Sequence, residues 1–356
     1  MFHINDRIEK IRDHLQRQKI DAFLVCNPEN IRYLSGFTGG YDARLFITAQ
    51  RKYIISDSRY REQAARQCPE WELIEEKNFD GSKFNLLAGS FDNMAFESQV
   101  VSYDTYSWLK KNLKTELIPV KGIVENDRII KDETELELIR QAAAIGDAVF
   151  AEMLSQIRLG MSEKEIADKI DNLLRQKGCE KEAFTTIAVA GENAALPHGT
   201  PGDKVIAAGE MITMDYGGFF QGYLADMTRT IGIGEMDSSY HDKYMAVLEA
   251  QQLGVSMIKA GIRCKDVDQA VRTRLQSYGL DEYFLHSTGH GVGLEVHEMP
   301  AVSSSSDTVV QPGMVITIEP GIYIKGWGGI RIEDTVIVKQ DSCEVVTKAN
   351  KNLILI

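Results

Sequence analysis

The sequence predicts two domains in tandem, an α/β domain followed by a larger α+β domain. Three observations carry this. Short apolar runs alternate with helical stripes over the first third of the 356 residues. A linker leading to a long helical stripe then interrupts that pattern. Finally, a nine-residue motif recurs in the remainder, beginning at Gly209 and again at Gly313. At about 100–200 residues per domain, the length suits two.

Each element has its own warrant. Ile8, Ile11 and Leu15 form a helical stripe. Residues 21–26 (DAFLVC) read as a buried strand, and 43–56 as a hairpin turning near Gln50. Residues 58–67 read as a helix, 71–76 as extended chain and 93–98 as a strand. A helix over 102–113 and a strand over 115–120, ended by Pro119, complete the set. This alternation predicts a small α/β domain over 1–125. It holds no G-x-G-x-x-G and no phosphate-binding loop. A linker at 126–132, within the stretch 121–132, leads to a second domain over 133–356.

The second domain should open with a long helix over 133–157, striped by Leu136, Ile139, Ala143 and Phe150. Ser162 and Glu165 form a capping box for a helix ending near Gly178. Helices over 239–259 and 265–278 separate strand-rich blocks.

Composition narrows the function. Apolar residues are 44% and charged residues 26%, as in globular chains. Net charge is −12, which argues against nucleic acid or an anionic membrane as partner. No apolar run approaches a membrane span, and the start MFHINDRIEK has no apolar core of a signal peptide, so a cytoplasmic enzyme is expected. Five scattered cysteines without C-x-x-C fit a reducing compartment.

The repeat carries the chemistry. GEMITMDYG and GMVITIEPG share G-x-x-I-T-x-[DE]-x-G, and each is followed by a glycine-rich turn and then [DE]-x-T. If each unit is a hairpin, Asp215 faces Asp226 across a turn between Phe220 and Gln221, and Glu319 faces Glu333 about Gly326. Opposed residues have Cβ atoms about 4.5–5.5 Å apart. Like charges that close require a proton or a bridging cation. Three of the seven histidines, His286, His290 and His297, lie between the repeats, and His198 precedes them in ALPHGT. His297-Glu298 does not open a zinc-binding H-E-x-x-H, because position 301 is alanine.

On these residues the chain resembles the pita-bread metallopeptidases, in their prolidase and aminopeptidase P branch. The resemblance runs through DRIIKDETELELIRQAAAIGD, ALPHG, MDYGGFFQGYLADMTRT, STGHGVGLEVHE, ITIEPGIY and GGIRIED, in that order, and covers essentially the whole chain. It implies a creatinase/prolidase-like α/β amino-terminal domain followed by an α+β pita-bread catalytic domain with an internal pseudo-two-fold repeat. It further implies that Asp215, Asp226, His290, Glu319 and Glu333 ligate two divalent ions. Asp226 and Glu333 would bridge them, with Asp215 on one side and His290 and Glu319 on the other. Four carboxylates balance two divalent cations, and oxygen-rich ligation suits Mn²⁺, with Co²⁺ or Zn²⁺ as other candidates.

The implied reaction is hydrolysis of Xaa-Pro bonds in short peptides by a metal-bridging hydroxide, in a homodimer. Glu319 would carry the proton, and His198 and His297 would bind substrate and stabilise the oxyanion. Arg331 would act beside the ligands, and Tyr323 would contact substrate. Thr228 and Thr335 are expected behind the acids they follow. In the family, the amino-terminal domain helps restrict the site to short substrates. In this chain Tyr33, Arg44, Asp57 and Arg59 could reach the site, although packing or surface roles fit each better. One departure stands out. Several prolidases carry an arginine at the position of Ala301, where it pairs with a dipeptide carboxylate. Its absence puts a strict dipeptidase in question unless another basic residue substitutes, and leaves longer Xaa-Pro peptides open.

Two other readings compete. A methionine aminopeptidase-like enzyme shares the catalytic fold, but the amino-terminal domain and linker argue against it. A non-catalytic peptide-binding module on the same fold would be expected to have lost ligands, whereas all five positions are intact here. Creatinase-like enzymes also lack the full ligand set.

Overall fold

The computed structural model describes residues 3–77 and 81–356. The chain divides into two compact units, residues 1–128 and 129–356.

The first unit is built on a six-stranded mixed sheet. Its strands are β1 (Ala22–Val25), β2 (Ala43–Thr48), β3 (Lys52–Ser56), β4 (Glu72–Glu75), β5 (Asn93–Glu97) and β6 (Glu116–Val120), in spatial order 4-3-2-1-5-6. Helix α1 (Ile4–Gln18) buries Ile8, Ile11 and Leu15, the expected stripe. Strand β6 runs through Pro119 instead of ending there. It is the sheet's edge, where a residue lacking an N–H breaks no inner ladder.

Helix α2 (Pro28–Ser35) was not anticipated, yet its start is written locally: the Asn27 side chain accepts from the Asn30 N–H, and proline takes the first turn. The helices α3 (Arg61–Gln67), α4 (Ser82–Ala88) and α5 (Tyr103–Asn112) follow. Helix α6 (Ile123–Arg128) occupies much of the stretch read as linker. Tyr33 is buried with the Arg7 guanidinium 3.9 Å from its ring centre. Asp57 caps the turn 58–60 and pairs with Arg59, while Arg44 stands on β2.

The second unit opens with α7 (Glu133–Gln156) and α8 (Glu163–Gln176). Both begin at capping boxes, Asp132 with Glu135 and Ser162 with Glu165. Next come β7 (Lys181–Glu182), β8 (Ile187–Ala190), and the long hairpin of β9 (Met211–Phe220) and β10 (Tyr223–Gly232). Phe150 and Met153 of α7 and Ile166 and Ile170 of α8 pack on Met214, Tyr216 and Met227 of that hairpin.

The second half repeats this plan. Helices α9 (Ser238–Met257) and α10 (Cys264–Gln276) are followed by β11 (Gly289–Gly291), β12 (Glu298–Val302), β13 (Val315–Ile318), β14 (Gly321–Ile324), β15 (Gly328–Arg331), β16 (Asp334–Val338) and β17 (Cys343–Val345). Tyr244, Val247, Val271 and Leu275 of the helices cover Ile322 and Ile330. Each half is thus a helix pair on antiparallel strands. This is the α+β pita-bread architecture with its internal repeat.

The first hairpin corrects one expectation. Its register pairs Tyr223 with Phe220 and Thr228 with Asp215. Asp226 therefore faces Gly217, not Asp215. The turn is centred one residue later than expected, on Gln221 (φ 48°) and Gly222 (φ 87°), both in the left-handed region that a two-residue hairpin turn requires. The shift moves the register by two, so Asp215 and Asp226 still share a face as diagonal neighbours.

Candidate metal centre

The second acid pair sits at a break in a long hairpin. Strands β13 and β16 pair Ile318 with Asp334, while β14 and β15 pair Gly321 with Arg331. One register runs through both ladders, so Glu319 lies opposite Glu333 in the gap. There the backbone N–H of Glu319 bonds Thr288 O (2.8 Å), and that of Glu333 bonds Thr228 O (3.1 Å). Both acids are thereby tied to other strands that border the same cavity.

That cavity, of about 730 Å³, is lined by Asp215, Asp226, His290, Glu319 and Glu333, together with His198, His297 and Arg331. Donor atoms of Asp226, His290 and Glu333 lie within 4.8 Å of one another. His290 Nε2 is 3.3 Å from Glu319 Oε1 and 3.8 Å from Asp226 Oδ2. The other ring nitrogen, Nδ1, faces Gly291 O at 3.0 Å. A carbonyl can only accept, so Nδ1 carries a proton and Nε2 is the atom left for a ligand.

The electrostatics are those of a site built for positive charge. Buried oxygens Asp215 Oδ1, Asp226 Oδ1 and Glu333 Oε1 have no hydrogen-bond partner. Burial, then the Glu333 and Asp215 charges, hold the Asp226 carboxyl well above its usual range. Burial, then Glu319 and Asp215, do the same to Glu333. For His290, burial pulls the pKa down, but the hydrogen bond and charge of Glu319 outweigh it and raise the value to about 9. Without a cation, protons must partly neutralise this cluster. With one, the orphaned oxygens and the Nε2 lone pair have a partner, so the donor set fits a divalent ion.

The supporting residues come from both repeats. Arg331 is buried and spends its donors on protein: Nε on Thr228 Oγ1 (3.0 Å), Nη1 on Tyr323 Oη (2.6 Å) and Pro197 O (3.1 Å), and Nη2 on Asp215 Oδ2. Tyr323 does not line the cavity among the described residues. It stands behind Arg331 and His286, with its hydroxyl 2.9 Å from His286 Nε2. His286 Nδ1 faces Ser287 O, so it is the protonated nitrogen and Nε2 accepts from the tyrosine. His198 and His297 are exposed on the cavity wall, and the His297 ring lies tilted against His290 with centroids 4.4 Å apart.

Two contributors escaped the sequence reading. His286 was seen in its motif but given no role. Thr317 belongs to the repeated I-T-x-[DE] unit, and its hydroxyl accepts from the His290 N–H (3.1 Å) and donates to Glu319 (3.3 Å). The repetition of that threonine beside each acid was the available signal.

Known proteins bear on this site. Residues 137–340 match metallopeptidase family M24, and residues 7–130 match the creatinase/prolidase N-terminal domain. A Xaa-Pro dipeptidase of Pyrococcus horikoshii is 38% identical, over 99% of this chain and 99% of that protein. The structure of a Xaa-Pro dipeptidase from Bacillus anthracis superposes with a TM-score of 0.95 at 39% identity, covering 99% of this chain and 100% of that one. An X-Pro aminopeptidase structure from Thermotoga maritima gives 0.90 at 37% identity, covering 98% and 99%. No helix among the described residues is long and apolar enough to cross a membrane. With its catalytic fold, its carboxylate-rich cavity and its amino-terminal domain all matched, the chain belongs to the Xaa-Pro peptidase branch of metallopeptidase family M24.

Proposed function

We propose that this protein is a dinuclear, divalent-metal-dependent peptidase that cleaves the bond between a first residue and a following proline in short peptides. The observation that carries the reading is the gathering of four carboxylates and one imidazole around one cavity, with three carboxylate oxygens buried and unpaired. In this reading Asp226 and Glu333 would be shared by two ions, Asp215 would hold one, and His290 and Glu319 would hold the other. Mn²⁺ suits this donor set best, and Co²⁺ or Zn²⁺ would also fit. Divalent ions held there would supply activation of water and polarisation of the scissile carbonyl.

The chain's own groups do the rest. Glu319 receives the proton of the attacking water and passes it to the proline nitrogen as the C–N bond breaks. His198 and His297 offer N–H groups to the carbonyl oxygen as its negative charge develops. Burial, the largest cause, lowers the His297 pKa, which favours a neutral ring with a proton to donate. Arg331 acts by holding Asp215 and Tyr323, and Tyr323 acts by holding His286 toward substrate.

Substrate length follows from charge. Among the described residues lining the cavity, Arg331 is the one guanidinium or ammonium group, and its donors are committed. Ala301 also lines the cavity and supplies no charge. This supports peptides longer than two residues, which need no clamp for a carboxylate directly after proline. A homodimer, carried over from the family resemblance, and a cytoplasmic location, expected from the sequence, complete the reading.

The test is a paired rate assay on Mn²⁺-loaded protein with Ala-Pro and Ala-Pro-Ala. Cleavage of the tripeptide at the higher rate is expected. Faster cleavage of the dipeptide would refute the length assignment. Cleavage of neither with Mn²⁺, Co²⁺ or Zn²⁺ would refute the activity. Protein that binds Ala-Pro-Ala yet holds no stoichiometric metal would be a peptide-binding module.

A further inference from the structure

His198 is an odd candidate for a precise task. Its ring is exposed, and among the described residues it makes no hydrogen bond. It sits on a stretch, residues 196–204, with neither helix nor strand. Something else must fix where the ring stands.

The structure supplies that group from outside the cavity lining. Glu163 opens α8 and is fully buried (0% exposed). Its Oε1 accepts from the Ala190 N–H at 2.8 Å, upstream of the loop. Both oxygens accept from Asn193 Nδ2 at 3.1 Å, within the turn 191–195. Its Oε2 accepts from the Gly202 N–H at 3.2 Å, downstream of His198. One carboxylate therefore ties together the two ends of the segment that carries the histidine. Backbone bonds from the Glu163 N–H to Lys204 O (2.9 Å) and from the Lys164 N–H to Gly202 O (3.0 Å) press the returning arm onto the same helix end.

We infer that Glu163 is a positioning residue for His198: its buried carboxylate staples both arms of the 190–202 loop and so sets the place of the imidazole over the reacting carbonyl. The inference rests on the role given to His198 above. A merely structural reading exists, since an acid in the first turn of a helix is favourable by itself. That reading does not explain why three of its partners lie outside the helix and bracket one loop.

The Glu163 carboxylate is also separate from the metal-facing acids. Those acids stand on β9, β10 and the long broken hairpin, whereas Glu163 touches none of them. The middle of the loop has its own anchors. Arg331 Nη1 bonds Pro197 O, and Gly329 packs so near the turn that a Cβ there would meet Ala194 O at 2.0 Å. Loosening the staple should free the arms and leave the acids in place.

The experiment compares Glu163→Gln, His198→Ala and the double variant in the full-length Mn²⁺-loaded protein. Substrate is whichever of Ala-Pro and Ala-Pro-Ala the native protein cleaves faster. Glutamine keeps the shape but points an N–H₂ at groups that are donors themselves. A displacement of about 1 Å can cost on the order of 100-fold, so Glu163→Gln should lower kcat by about 10- to 100-fold. Mn²⁺ affinity measured by calorimetry should not change, and the double variant should be no slower than His198→Ala alone. Should Glu163→Gln fail to fold, Asn193→Ala removes one partner and should show the same non-additive loss on a smaller scale. Native turnover in Glu163→Gln overturns the inference. So does an equal loss in the presence and absence of His198, which would mark a general structural role. Native turnover in His198→Ala would remove the parent role and this inference with it. Slow His198→Ala beside normal Glu163→Gln would remove this inference alone.

Discussion

The Thr228 hydroxyl donates to Glu333 Oε2 at 2.7 Å, across 105 residues of sequence and from one repeat to the other. Arg331 Nε donates to the same hydroxyl, which leaves its own proton no better acceptor than the glutamate. Thr335 reciprocates: its Oγ1 accepts from the Asp226 N–H (3.0 Å) and donates to Asp226 O (2.7 Å). Each repeat's threonine thus holds the other repeat's acid. Glu333 Oε2 takes this bond, and Oε1 is buried with no hydrogen-bond partner.

Thr228→Val should expose the value of that bond. The shape is kept but a buried carboxylate oxygen loses its donor, which typically costs about 1–3 kcal/mol. Groups orienting metal ligands typically contribute about 10- to 100-fold in affinity. Calorimetric titration with Mn²⁺ should show a loss of that size, and Thr228→Ser should restore most of it. Unchanged affinity would separate this threonine from the metal.

Asp226→Asn should abolish metal binding and activity without harming the metal-free fold. Burial and the surrounding acids hold the Asp226 carboxyl well above its usual range. An acid shifted upward loses folding free energy as pH rises past its ordinary pKa, so neutralising it relieves the metal-free protein. The metal-free variant at pH 7 should therefore melt no lower than metal-free native protein. Added Mn²⁺ should raise the melting temperature of the native protein only. A variant that still gains stability from Mn²⁺ would contradict the ligand assignment.

Ala301→Arg should shift preference toward dipeptides. Ala301 lines the cavity beside the His290 strand. A charge-assisted bond is worth about 1.5–3 kcal/mol, so the ratio of kcat/KM for Ala-Pro over Ala-Pro-Ala should rise by roughly tenfold or more. A ratio that does not move would mean that charge at this position does not set substrate length.

Glu344 offers a pH test remote from the cavity. Arg140 of α7 grips it through Nε (2.8 Å) and Nη2 (3.1 Å), and Lys339 is 2.9 Å away. The Arg140 hydrogen bond is the main cause that lowers its pKa to about 2, despite partial burial. A lowered acid stabilises the fold above its unfolded pKa, near 4.5, and loses that contribution as pH falls toward 2. Melting temperatures of native protein and Glu344→Gln should differ at pH 7 and converge as pH drops from 4.5 toward 2. A constant gap would assign the difference to packing.

Much of the candidate site was legible because its signals are local. The I-T-x-[DE] units, the following [DE]-x-T and the histidine-rich block name nearly every titratable side chain that lines the cavity around the acids. The long helices were legible for the same reason: the stripe of α7 and the capping box at Ser162 are short-range patterns. Shorter pieces were lost where a local signal was present but brief, as at Asn27-Pro28. At Pro119 the deciding fact was the strand's place at the sheet edge.

The sequence by itself determined which residues could do chemistry and which face of each strand they occupy, because strand periodicity is a two-residue rule that survives even a misplaced turn. It did not determine partners. Whether Asp215 faces Asp226 or Thr228 depends on where a two-residue turn closes. That Thr228 serves Glu333, that Tyr323 stands behind His286, and that Glu163 reaches the His198 loop were decided by tertiary structure alone. Those bonds join groups 27 to 105 residues apart, and only tertiary packing, within each helix-covered half and between them, brings them within hydrogen-bond distance.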